Sequence, residues 1–292
     1  MKRAARSAIA LTVAAGVIGG GIWGVQSYVH HSQALVVVQC ATSVGGVQHT
    51  LDPEQAGNAA TISAVAVGRA LPARATTIAL ATAYQESKLR NLDYGDNAGP
   101  DSRGLFQQRP SQGWGTQQQV MTPVYAAGAF YDQLVRFDYQ SMSITQAAQK
   151  VQRSAFPDAY APHEERSRAF AAALTGQSAG ALNCTLRRTD SAGDAKAVSK
   201  ALTAEYGRSF VDPQAQGSTV SVPVASKNKG WAVAQWAVAH AQQHQTLSVS
   251  YGGLEWTRAT GKWEAPAASD SAQQGQGSKQ VRITVATEAE QG

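Results

Sequence analysis

Apolar residues recur along this chain at several spacings, and each spacing marks a different kind of element. The first pattern is continuous. Ala8 to Val25 is a run of 18 uncharged, mostly apolar residues preceded by Lys2, Arg3 and Arg6. Basic flanks stay on the cytoplasmic side, so residues 1–30 read as an N-terminal membrane anchor, a transmembrane helix with the main body beyond it. A cleaved signal segment fits the same pattern. The run exceeds an ordinary signal-peptide core and no clean small-x-small site follows closely, which favours the anchor. The expected location is the cell membrane, single-pass with the main body extracytoplasmic, or secreted if the segment is cleaved.

The second pattern has the period of amphipathic helices. Asp52-Pro53-Glu54-Gln55 has a helix start in it, with Asp as N-cap and Pro at the first helical position. Ile62, Val65 and Ala66 continue that helix until Leu71-Pro72. An alanine-rich helix is expected from about 73 to 89. Further helices are expected at about 123–135, 143–152 and 162–174. Glycine, proline, asparagine and aspartate mark loops at 91–104 and 110–116. Residues 40–184 thus read as a mainly α domain.

A third pattern begins after a Ser-, Gly- and Ala-rich stretch at 177–193. Helices are expected at about 194–206 and 230–244. Alternating residues at 219–224, 247–251 and 280–286 predict strands. Residues 194–292 therefore read as a small α+β domain, with a low-complexity stretch at 269–278. Its tryptophans, Trp231, Trp236, Trp256 and Trp263, suit a core or a wall-binding face.

Composition excludes one class of partner. The formal net charge is +5, and Lys2, Arg3 and Arg6 supply three of those charges. The remainder shows no basic helix or stripe, so no nucleic acid is expected. The only two cysteines, Cys40 and Cys184, lie beyond the N-terminal run and bracket the first domain. In an oxidising compartment a disulfide between them is the simplest arithmetic, with two separate buried thiols as the alternative.

The chemistry concentrates in two segments, Tyr84-Gln85-Glu86-Ser87 and Ser102-Arg103-Gly104-Leu105-Phe106-Gln107-Gln108. Ala75, Ala79, Thr82 and Ala83 share a helix face with Glu86 by three- and four-residue spacing. A carboxyl in that setting is partly desolvated, which raises its pKa and suits a general acid. Asp93, Asp96 and Asp101 follow in the next loop. Each is a candidate second carboxylate for a glycosidase and equally a turn former. Trp114, between Gly113 and Gly115, is the best loop aromatic for stacking on a sugar. Tyr125, Phe130 and Tyr131 are further candidates for sugar stacking or a cleft wall, although aromatic residues at helical spacing suit a core and Phe130 is expected there.

These two segments resemble the Glu-Ser and Ser-x-Gly-Leu-Met-Gln blocks of lytic transglycosylases and goose-type lysozymes. Phe106 stands where Met is usual. The resemblance is to the lysozyme-like superfamily, in a form similar to exported actinobacterial proteins, and covers residues 45–176. It implies cleavage of peptidoglycan glycan strands with Glu86 as general acid and base, and a cleft lined by Ser102, Gln107 and Gln108. The family's late Tyr-Asn-Ala-Gly type segment is missing. Residues 151–160 stand in its place, with Gln152 and Tyr160 as candidate substitutes. No cofactor is implied.

Two other classes compete. A cell-wall module that binds glycan without cutting it is favoured by the missing segment and opposed by Glu86. A metal-handling protein would have to use His240 and His244, four residues apart, or His30-His31. Neither pair has a thiol or carboxylate cluster beside it, so no metal is expected.

Overall fold

The computed structural model describes residues 36–97, 99–153, 158–266 and 279–287. The chain enters through a hairpin, strands β1 (Gln39–Val44) and β2 (Val47–Leu51). Gly45 and Gly46 both have positive φ, 56° and 82°. A two-residue turn of that kind matches the right-handed twist of the strands it joins. Strand β3 (Asn183–Thr185) pairs with the other edge of β1, giving a three-stranded antiparallel sheet in the order β2-β1-β3. Cys40 lies directly opposite Cys184 in that sheet, and the two form a disulfide. It closes a loop with a sequence separation of 144, which stabilises the fold by about 5 kcal/mol in the chain-entropy account.

Helix α1 (Pro53–Gly68) starts as the sequence indicates. Asp52 caps it, Pro53 opens it, and Gln55 completes a capping box with Asp52. Helix α2 (Ala73–Ser87) comes next. Ala and Thr dominate both, and small side chains let neighbours approach from every side. Then come α3 (Gln117–Val120), α4 (Pro123–Leu134), α5 (Ile144–Gln152) and α6 (Glu164–Leu174). Helix α2 packs against α1, α4, α5 and α6.

The remainder builds a second sheet. Helix α7 (Ala195–Tyr206) precedes β4 (Gln214–Gln216) and β5 (Thr219–Pro223). Helices α8 (Lys227–Ala239) and α9 (Ala241–His244) come after them. Strands β6 (Thr246–Tyr251), β7 (Leu254–Thr257), β8 (Trp263–Glu264) and β9 (Gln280–Val285) complete it. The six strands run in the order β4-β5-β9-β6-β7-β8, each antiparallel to its neighbours. Helix α8 lies on this sheet and also packs on α1 and α6. Residues from Val38 onward accordingly form one compact unit. Trp231, Trp236 and Trp256 are buried in it, and the Trp263 indole N–H donates to the Leu182 carbonyl at 2.9 Å.

Two expectations need correction. The chain is not mainly α: two antiparallel sheets, one of them framing the first helices, make it a mixed α and β protein. The hairpin escaped notice because β2 is mostly exposed and carries almost no alternation. β3 is only three residues long and sits where a linker was expected. The expected membrane anchor, and the membrane location derived from it, are also not upheld. Among the described residues no helix is long and apolar enough to cross a membrane, and residues 1–30 lie outside them. His30-His31 and the low-complexity stretch at 269–278 likewise lie outside.

Where α7 and α8 meet α1, four polar side chains are buried together. The Trp236 indole N–H donates to Glu205 Oε2 at 2.6 Å, and His240 Nε2 is 3.8 Å from Glu205 Oε1. Thr61 Oγ1 lies 3.4 Å from the same His240 nitrogen. His240 Nδ1 is 3.0 Å from the Trp236 carbonyl and donates to it. Burial pushes Glu205 up from 4.5 to about 7, against the pull of the Trp236 and Thr61 hydrogen bonds. It pushes His240 and His244 down to about 4. Both shifts follow from burial, which disfavours the charged form of each group.

The Glu205 shift makes stability depend on pH. The folded protein holds a proton there that the unfolded chain loses near pH 4.5, so this group's contribution falls as pH rises from about 4.5 to 7 and beyond. Glu205→Gln, which keeps an acceptor for Trp236, should therefore be more stable than the parent at pH 8 by on the order of 1–3 kcal/mol. The difference should vanish at pH 4. Urea unfolding at the two pH values measures it, and an equal effect at both would contradict this account.

Candidate active site

Helix α2 is buried on all sides from Ala75 to Ala83, where Ile78 and Leu80 fill the gaps between its alanines. Its last turn changes character, and Tyr84, Gln85 and Glu86 emerge half-buried. Two residues then adopt the left-handed conformation, Lys88 at φ 55° and Leu89 at φ 60°. For residues with a Cβ this costs roughly 1–2 kcal/mol each, so the surroundings must hold it. Lys88 N–H donates to Tyr84 O at 3.0 Å and Leu89 N–H to Ala83 O at 3.1 Å. From α1, Gln55 donates to the Lys88 carbonyl and Asn58 to the Leu89 carbonyl, each at 2.8 Å.

Ser87 joins this turn to the second segment. Its Oγ lies 2.7 Å from Leu105 O and 3.0 Å from Ala83 O, so the hydroxyl clips the 102–108 loop to the helix end. Gly104 sits at φ 77°, and a Cβ there would meet Val120 O at 2.2 Å. Only glycine fits that turn. Leu105 and Phe106 are buried, and Phe106 stacks on Phe130 with centroids 4.7 Å apart. The loop's backbone is thereby fixed beside Glu86.

Glu86 stands at this junction. Tyr160, itself buried, donates its hydroxyl to Glu86 Oε1 at 2.8 Å. Gln152 donates its amide to the Phe106 carbonyl at 2.8 Å and also lies against Glu86. Burial raises the Glu86 pKa above its ordinary value. The hydrogen bonds from Tyr160 and Gln152 pull against that rise, and the charge of Asp96 adds to it. The carboxyl is thus a reluctant anion with a fixed orientation, which is what a proton donor requires.

It opens into a cleft of about 1120 Å³. Of the residues expected there, Glu86, Ser102, Gln107, Gln108, Trp114 and Gln152 line it, and Tyr160 lies beneath Glu86. Gln107, at φ 48°, donates to its own loop at Gly104 O, 3.3 Å away. Gln108 is almost wholly buried and donates to Ala126 O at 3.0 Å, so it braces the floor. Trp114 packs one side against the core and leaves part of its surface to the cleft. Tyr125 is not among the lining residues, and Phe130 and Tyr131 are core.

The three loop carboxylates separate. Asp101 accepts from Ser111 N at 3.0 Å and Arg109 Nε at 2.9 Å, and the hydrogen bonds from Ser111, then Arg109, hold its carboxyl well below the usual range. Asp93 is exposed and does not line the cleft. Asp96 does line it, with Oδ1 accepting from Gly99 N–H at 2.8 Å. Sequence reasoning missed one wall entirely, made of Gln133, Arg136, Phe137, Lys150 and Arg153. The only signal was the basic pair Lys150 and Arg153 at the end of an amphipathic helix. Among the described residues, no group of three or more side chains could hold a metal ion.

No family model matches the chain, and no curated protein matches it.

The electrostatics can be tested without substrate. The Tyr160 hydrogen bond favours the ionised form of Glu86, so Tyr160→Phe should raise the Glu86 pKa further. A 13C-carboxyl NMR titration of the parent and the variant measures it. A lower midpoint in the variant would contradict the arrangement.

Proposed function

We propose that this protein cleaves peptidoglycan glycan strands, with Glu86 as the general acid and then the general base. One observation carries the reading: a half-buried carboxyl with a raised pKa, hydrogen-bonded by Tyr160 and facing a polar cleft of about 1120 Å³. The resemblance of Glu86-Ser87 and Ser102–Gln107 to the lytic transglycosylase and goose-type lysozyme blocks supports it. So does the Ser87–Leu105 contact, which gives those two blocks a shared structural purpose.

The lytic route is the version the side chains support best. Glu86 donates its proton to the glycosidic oxygen, and the C1–O bond breaks with its electron pair leaving on that oxygen. The substrate's own acetamido group stabilises the cationic C1. The Glu86 carboxylate then removes the C6 hydroxyl proton of N-acetylmuramic acid, and O6 closes onto C1 as a 1,6-anhydro ring. Glu86 ends protonated, as it began. A hydrolase of the two-carboxylate type needs a second, positioned carboxylate. Asp96 is the candidate in the cleft, but it is exposed and one of its oxygens is engaged by Gly99. Tyr160 orients the acid. Gln152 fixes the Phe106 carbonyl beside it, in the place of the missing Tyr-Asn-type segment.

The rival reading, a module that binds glycan without cutting it, keeps the cleft and discards the proton transfer. Glu86→Gln separates the two. The variant keeps the shape and cannot move the proton, so peptidoglycan solubilisation should fall by about 10²–10⁴-fold. Binding to insoluble peptidoglycan should persist. Parent activity should decline as pH rises through the Glu86 pKa, because the donor proton is lost. A variant that solubilises peptidoglycan at the parent's rate would contradict the assignment, and a folded parent that binds but never cuts would establish the rival.

A further inference from the structure

The unexpected wall of the cleft carries three cations. Arg136 lies just past the end of α4, and Lys150 and Arg153 lie on and just past the last turn of α5. All three line the same cleft as Glu86, with the Phe137 ring among them. Lys150 Nζ sits 4.5 Å from the Phe137 ring centroid, which fixes where that ammonium rests. The fourth cation of the lining, Arg109, is already paired with Asp101. Among the described residues, Arg136, Lys150 and Arg153 form no ion pair.

Their charge does not serve the acid. The influences on Glu86 are burial, Tyr160, Gln152 and Asp96, and none comes from these three side chains. Cations close enough to stabilise the Glu86 carboxylate would oppose its role as a proton donor. Basic residues favour helix C-termini in general, which accounts for their positions along the chain. It does not account for two helices bringing all three to one wall of one cleft. Uncompensated like charges on a wall repel one another, and an anionic ligand relieves that repulsion.

We propose that Arg136, Lys150 and Arg153 form a binding arm for carboxylate groups carried by the glycan strand, so that the cleft prefers acidic strands to neutral ones. The arm rests on the glycan-cleavage reading and narrows it to a substrate class. Gln112 and Gln133, which also line the cleft, offer amides to sugar hydroxyls of any strand. The three cations distinguish strands by charge. Two sources of carboxylate fit this arm: the peptide's own carboxylates where a peptide is attached, and the lactyl carboxylate of the muramic sugar, which is free only where the peptide has been removed.

The test measures binding with the full chain carrying Glu86→Gln, so that nothing is cut. Three soluble probes are compared: peptide-bearing glycan strands, strands stripped of peptide by an amidase, and a neutral N-acetylglucosamine oligomer. Acidic strands should bind about tenfold tighter than the neutral oligomer at low salt, with the difference shrinking as salt rises. Adding Arg136→Gln, Lys150→Gln and Arg153→Gln should remove that preference and leave neutral-oligomer binding unchanged. Lys150→Gln alone should lose part of it, which keeps the test valid if the triple change perturbs folding. Weaker binding after peptide removal assigns the arm to peptide carboxylates, tighter binding assigns it to the lactyl carboxylate that the amidase sets free, and equal binding of the two acidic probes above the neutral oligomer shows that either carboxylate fills it. Equal affinity for all three probes in the parent would overturn the arm while leaving the glycan-cleavage reading intact. Failure to bind any probe would overturn both.

Discussion

Glu86 and the 102–108 loop take their positions from the last turn of α2. That helix packs against four others in the first helical layer, and its alanines and threonines, with Ile78 and Leu80 between them, let those neighbours approach closely. Where it ends, two left-handed residues turn the chain sharply, and side chains from α1 hold the turn. Ser87 then fastens the 102–108 loop to the same turn. Glu86 is the residue this construction leaves facing the cleft, half out of water, with a raised pKa as the physical consequence.

The same helix layer depends on the C-terminal part of the chain. Helix α8 packs on both α1 and α6, and the Gln235 amide donates to the Ala173 carbonyl at 2.6 Å while its oxygen accepts from Leu182 N–H at 2.8 Å. A buried amide with both ends bonded fixes the register of one layer against the other. The Cys40–Cys184 disulfide ties β1, the first strand of the hairpin before α1, to β3 after α6. The large side chains of the second part, including three buried tryptophans, thus complete the core behind the cleft.

Much of this was legible in the sequence where local chemistry is strong. Asp52 and Pro53 announced α1, Ser143 caps α5 and Asp194 caps α7 as their positions suggest. Glu86 and most of the cleft floor were legible because glycine at 104 and the apolar pair Leu105-Phe106 are spaced to return to the helix. The short strands were not. β2, β3 and β4 draw their stability from pairing partners, and their own residues are too few or too exposed to show alternation. The cationic wall was hidden for a related reason. Arg136 and Lys150 become neighbours in one cleft only when α4 packs on α5, and no spacing along the chain encodes that. Nor does sequence show that Gln108 is consumed by Ala126, or that Asp101 is consumed by Arg109.

The central claim is that a single carboxyl moves one proton out and one proton back, with no water entering the bond. Purified glycan strands digested by the full chain in 18O-water, with mass spectrometry of the released fragments, test it most directly. The account predicts fragments ending in 1,6-anhydromuramic acid that carry no 18O. Reducing ends that each carry one 18O would contradict it.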